Sequence, residues 1–101
     1  MIRGLTIPPE LEADEVRVLL WYKSEGETVS PGDALVELET DKAIVLVTAN
    51  QAGTLRCCFA AASEWLQVGE VAAWLSDEPD EALPPERAAT TGPLMARFEV
   101  T

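Results

Sequence analysis

Residues 35–47 constrain the fold more than any other stretch. Leu35, Val36 and Leu38 are interleaved with Glu37 and Glu39, and Ile44, Val45, Leu46 and Val47 form an unbroken β-branched and aliphatic run. Both halves, Leu35 to Thr40 and Ile44 to Val47, read as strands, and Asp41-Lys42 makes a short polar turn between them. With Asp41 and Lys42 in the turn and no glycine there, a primed two-residue turn is not expected, and a type I geometry suits these residues better. Such a hairpin holds a lysine out into solvent on a rigid support. The chain has two lysines, Lys23 and Lys42. Only one face of a strand can point at the core of a two-layer domain. Part of the run from Ile44 to Val47 is therefore expected to face outward, and Leu46 is the candidate for a partner-docking patch beside the tip.

More strands flank the hairpin. A short one is expected between Ile2 and Ile7, closed by Pro8 and Pro9, and an acidic loop follows from Glu10 to Glu15. A Val- and Leu-rich strand then ends at Trp21 and Tyr22. Simple alternation puts Val16, Val18, Leu20 and Tyr22 on one face. Turns are expected at Gly26, at Pro31-Gly32 and over Asn50 to Gly53. Thr28-Val29 and residues 54–59 supply two further strands. Shifting the sequence by 37 residues lays Gly32 on Gly69, Val29 on Leu66, Leu38 on Leu75, Val18 on Leu55 and Tyr22 on Phe59. Two similar halves of about four short strands imply an all-β fold. The expected form is a flattened barrel or sandwich of two four-stranded sheets, related by an internal pseudo-two-fold repeat. In the second half Ser63 falls where the repeat calls for a glycine, and Trp65 falls on Thr28. A short helical turn is one expectation there.

Composition removes several function classes. Eighteen acidic against seven basic residues give a net charge of −11, which repels nucleic-acid phosphates and anionic lipid. Neither nucleic acid nor membrane is an expected partner, and a basic protein surface is favoured. No apolar run reaches the length of a membrane span, and the first residues lack the apolar core of a secretion signal, so a cytoplasmic setting is expected. The absence of histidine removes the usual general base and imidazole metal ligands. Cys57 and Cys58 are adjacent and point to opposite faces of a strand. They are expected as one buried and one half-exposed thiol. No metal site and no catalytic set is expected, so the chain reads as a non-catalytic module acting with separate enzymes.

The segment Glu37-Leu38-Glu39-Thr40-Asp41-Lys42-Ala43 resembles the lipoylation motif of lipoyl domains, as found in the acyltransferase subunits of 2-oxo acid dehydrogenase complexes. The similarity runs from about Arg3 to about Ser76 and takes in Gly26, Gly32, Gly53 and Gly69. It implies that Lys42 carries lipoic acid in amide linkage, with Glu39, Asp41 and Ala43 recognised by the attaching enzyme. It implies partners as well: a lipoate-attaching enzyme, a 2-oxo acid dehydrogenase, and acyltransferase and dihydrolipoyl dehydrogenase subunits. The arm would shuttle acyl groups and electrons between their active sites, or an aminomethyl group in a glycine-cleavage setting. A lysine amine is overwhelmingly protonated near neutral pH, so the attaching enzyme must bring an activated acyl donor. Two alternatives stay open. One is a biotin carrier, although those usually show Met-Lys-Met at the tip. The other is an unmodified barrel used as an interaction module. The carrier domain is expected over residues 1–78. Residues 79–101, rich in acidic residues, Pro and Ala, are expected as a flexible tail.

Overall fold

The computed structural model describes residues 1–8, 13–86 and 92–100. Ten strands make up the described regular structure: β1 (Ile2–Thr6), β2 (Glu15–Trp21), β3 (Thr28–Val29), β4 (Ala34–Glu39), β5 (Ile44–Ala49), β6 (Gly53–Cys58), β7 (Trp65–Gln67), β8 (Val71–Ser76), β9 (Gly92–Pro93) and β10 (Ala96–Val100). They form two five-stranded sheets. The tip sheet has the order β10-β5-β4-β2-β7, and the opposite sheet has the order β3-β6-β8-β1-β9. Val16, Val18, Leu35, Leu38, Val45 and Val47 from the first pack with Leu5, Val29, Leu55 and Leu75 from the second, all essentially buried. This is the all-β sandwich that the alternating pattern implies, and the interleaved apolar residues are its inner faces.

The repeat holds down to single hydrogen bonds. Gly26 N–H donates to Leu55 O at 2.7 Å, and Ser63 N–H donates to Val18 O at 2.7 Å. Leu55 N–H reaches Glu27 O, and Val18 N–H reaches Glu64 O, each at 2.9 Å. Both turns closed by an acidic residue recur: Ser30 N–H donates to Asp33 Oδ2 and Gln67 N–H to Glu70 Oε1. The register shift between Val18 and Leu20 on β2 has its twin between Leu55 and Cys57 on β6. Each pair exchanges the two halves, as a pseudo-two-fold axis requires.

Ser63 shows how strictly the repeat is kept. Its φ is 77°, beside 93° at Gly26, 94° at Gly32 and 93° at Gly69. The second half thus retains the left-handed backbone that glycine supplies in the first, and the segment is a turn rather than the short helical turn considered from the sequence. A side chain in this region is disfavoured by contact of Cβ with the backbone. Ser63→Gly is therefore expected to stabilise the protein. Relief of about 1–2 kcal/mol is offset by about 0.4–1 kcal/mol from the looser unfolded chain. The net gain is about 0.5 kcal/mol, a rise of roughly 2–4 °C in melting temperature by thermal denaturation.

Three expectations are corrected. The sheets have five strands, not four, because β9 pairs parallel to β1 and β10 pairs antiparallel to β5. These strands belong to the stretch expected as a flexible tail. Leu94 is buried in the core, and Ala96 and Phe98 pack against it, which is what holds this segment down. Residues 87–91 of the expected tail, and residues 9–12 with the first part of the expected acidic loop, lie outside the described residues. The second correction concerns β2. Its bulge breaks strict alternation: Val16 and Val18 point inward, whereas Leu20 and Tyr22 are exposed and Trp21 packs on the core. An extra residue in one strand moves every later side chain to the other face. The third is the cysteine pair. They do face opposite ways, but both thiols are free and half-buried. Cys58 packs on the main core. Cys57 joins a small outer cluster with Ile2, Phe59, Val71 and Trp74, where the Phe59 and Trp74 rings meet edge-on at 4.9 Å.

Candidate functional site

The β4–β5 hairpin ends in four residues, Thr40 to Ala43, between the paired Glu39 and Ile44. Thr40 N–H donates to Ala43 O at 2.8 Å and closes the ladder. Neither Asp41 nor Lys42 has a positive φ, so the primed turns are excluded, as the lack of glycine implied. In place of a second backbone bond, the Thr40 hydroxyl accepts from Ala43 N–H at 3.0 Å and from Lys42 N–H at 3.2 Å. It also lies 3.2 Å from Ala43 O, to which it can donate. One buried side chain thus ties the two arms of the tip together. Sequence reasoning passed over Thr40. The available signal was a hydroxyl at the first position of a glycine-free turn, which is where Ser and Thr bond to the backbone two or three residues on. Thr40→Val is expected to cost about 1 kcal/mol and to speed amide hydrogen exchange at Lys42 and Ala43, measured by NMR, while the sheets keep their protection.

The four residues singled out from the sequence gather at this tip. Lys42 and Asp41 are exposed, and Ala43 is half-buried. Glu39 closes β4 and points outward, where its carboxylate meets the Arg17 guanidinium of β2 at 2.9 Å. That pair is itself partly exposed, so its contribution to stability is small. Its effect is to fix the Glu39 side chain beside the tip. The second lysine differs in its surroundings. Lys23 is drawn against Asp33, with Nζ 3.3 Å from Oδ2, and the Asp33 carboxyl is held below its usual range by the Ser30 N–H and then by Lys23. Among the described residues no ion pair holds the Lys42 ammonium.

The apolar run of β5 divides as strand geometry demands. Val45, Val47 and Ala49 are buried, Ile44 is exposed next to the tip, and Leu46 is half-buried on the outer face across from Glu37 and Glu99. Tyr22 completes the outer face of this sheet. Its hydroxyl donates to Glu37 at 2.7 Å, and that hydrogen bond to a carboxylate raises the pKa of the phenol. Beside the tip a groove of about 340 Å³ is lined by Ala13, Asp14, Glu15, Asp41 and Trp65.

The thiols lie away from the tip on β6 of the opposite sheet. Burial pushes Cys58 up to about 12, and burial followed by the Glu25 carboxylate raises Cys57 as well. Thiolate is the reactive form, so both are poor nucleophiles near neutral pH.

The hairpin thus exposes Lys42 on an internally repeated sandwich. The comparisons with known proteins agree with the architecture. The family model described as biotin-requiring enzyme, covering biotin and lipoyl attachment domains, matches residues 8–75. The chain is 34% identical over 86 residues to the pyruvate dehydrogenase protein X component of Mus musculus, covering 70% of this chain and 17% of that protein. It is 35% identical over 79 residues to the dihydrolipoyllysine-residue succinyltransferase component of the 2-oxoglutarate dehydrogenase complex of Bacillus subtilis, covering 76% and 19%. It is 43% identical over 88 residues to the dihydrolipoyllysine-residue acetyltransferase component 3 of the pyruvate dehydrogenase complex of Arabidopsis thaliana, covering 76% and 16%. The chain therefore spans less than a fifth of the length of these relatives. Since the family match takes in the exposed hairpin and nearly all of both repeated halves, the chain belongs to the biotin/lipoyl attachment domain family.

Proposed function

We propose that this domain is a lipoyl carrier: Lys42 holds lipoic acid in amide linkage, and the domain presents that arm to the enzymes of a 2-oxo acid dehydrogenase-type complex. The observation that carries the reading is the tip itself. It sets an exposed lysine, with no ion pair among the described residues, between Asp41 and the small Ala43 on a hairpin locked by Thr40. When attached, the lipoyl group would supply a dithiolane able to take up an acyl group together with two electrons.

The chain itself holds and presents the arm. The sandwich keeps the tip rigid, so all the travel lies in the arm. Asp41 and Glu39 offer carboxylates to a basic surface on the attaching enzyme, and Ala43 lets that enzyme approach the backbone closely. The net charge of −11 draws basic partner surfaces toward the domain. The neutral thiols of Cys57 and Cys58 compete weakly for exchange with a dithiolane. The domain itself is a carrier, and the chemistry belongs to its partners. The names of the relatives, two of them dihydrolipoyllysine acyltransferases, favour lipoic acid over biotin.

The experiment that separates these two cofactors uses the unmodified domain with each attaching system in turn. Lipoate ligase with ATP and lipoate is expected to add one lipoyl group, read by intact mass. Biotin ligase with ATP and biotin is expected to leave the mass unchanged. The opposite pattern would make the domain a biotin carrier, and no addition by either would leave an unmodified interaction module.

A further inference from the structure

The groove beside the tip is not explained by the fold. Among its lining residues is Trp65, which is 56% exposed, whereas Trp74 is buried and Trp21 packs against the core with its indole N–H on Ala60 O. The repeat equates Trp65 with Thr28 at the start of β3. The fold thus accepts a small polar residue at this position, and the indole is an addition of the second half. Trp65 is paired across the ladder with Arg17, which pairs in turn with Glu39. A continuous row therefore leads from the indole to the residue before the tip. Asp41, next to Lys42, forms part of the groove wall.

We propose that this groove is the resting site of the arm on Lys42, with the dithiolane end lying against the Trp65 indole; the inference rests on the carrier reading. Three physical arguments support it. Sulfur makes favourable contacts with aromatic rings, and an exposed indole offers a large apolar face. An amide-linked lipoyl arm is uncharged, so the carboxylates of Asp14, Glu15 and Asp41 around the groove do not repel it, although they would repel a free anionic acid. A ligand tethered to the neighbouring residue has an effective concentration of about millimolar or more, so even a weak contact populates the docked state. Such a contact also breaks readily when a partner enzyme draws the arm into its own site.

The test compares apo and fully lipoylated protein, with attachment confirmed first by intact mass. In the holo protein the Trp65 indole N–H and the amides of Ala13, Asp14 and Glu15 are expected to shift in NMR spectra. Emission from the exposed tryptophan is expected to fall through contact with the disulfide. Trp65→Thr copies the residue of the first half, so it should fold and accept the lipoyl group while losing both the fall in emission and the shifts at 13–15. Shifts confined to 41–43 in a fully lipoylated protein would overturn the docking site and leave the carrier reading intact. A Trp65→Thr protein that kept the whole effect would overturn the docking site in the same way. A protein that accepts no lipoyl group would overturn both.

Discussion

Gly53→Ala is expected to lower stability by about 2–3 kcal/mol, a fall of roughly 10–20 °C in melting temperature, although it adds a single methyl group. Gly53 opens β6 and pairs with Val29 of β3. A Cβ built there would lie 2.8 Å from Cγ of Leu75, 2.9 Å from its Cδ2 and 2.8 Å from the carbonyl oxygen of Ser76. Leu75 is 1% exposed and wedged in the core, and the Ser76 oxygen belongs to the backbone of the central strand β8. Neither can retreat without moving the strand, and interiors packed at crystal density transmit such strain rather than absorb it. Gly26→Ala makes the contrast. Nothing lies within 4 Å of a Cβ at Gly26, so its cost comes from the φ of 93°, about 1–2 kcal/mol, less the roughly 0.4–1 kcal/mol by which alanine restricts the unfolded chain. Urea denaturation of both variants orders them. Equal stability of Gly53→Ala and the parent would contradict the close approach of β6 and β8.

Lys42→Arg is expected to abolish acyl loading while leaving the fold untouched. Arginine keeps the charge and the length, so the tip hydrogen bonds made by Thr40 persist. What is lost is an amine that forms an amide. After treatment with a lipoate ligase, the parent should take up an acyl group from a 2-oxo acid dehydrogenase and its substrate, and Lys42→Arg should take up none, a complete loss. Lys23→Arg should load like the parent, because Lys23 is held against Asp33 on a different turn. Loading that survived in Lys42→Arg and vanished in Lys23→Arg would move the attachment site and remove the role assigned to the tip.

The sequence carried the architecture because the features that specify it are local. Glycines 26, 32 and 69 mark left-handed turns, and the apolar pattern of residues 35–47 marks a hairpin with one inward face. The tip was legible for the same reason. Motif, turn chemistry and strand context coincide at Glu39, Asp41, Lys42 and Ala43.

What escaped notice depends on tertiary contacts. The bulge in β2 sends Leu20 outward, and nothing in a run of Val and Leu announces it. β10 has only Ala96 and Phe98 to anchor it to the core. Its place on the edge of β5 follows from the buried Leu94 and from the backbone bonds that an open edge offers. The repeat marked Ser63 as standing where a glycine is called for, but that it keeps the glycine's φ, rather than opening a short helical turn, depends on its backbone bond to Val18 across the fold. The Trp65 groove is assembled from three segments distant in sequence, so no motif could reveal it.

The proposed role of the domain stands or falls with Lys42 as the point of lipoyl attachment. The most direct measurement is the intact mass of the protein purified from cells able to lipoylate, followed by peptide mapping of the modified residue. A single lipoyl increment is expected, located on the peptide that contains Lys42. An increment on any other residue, a biotin increment, or an unmodified mass with lipoate ligase in excess would contradict it.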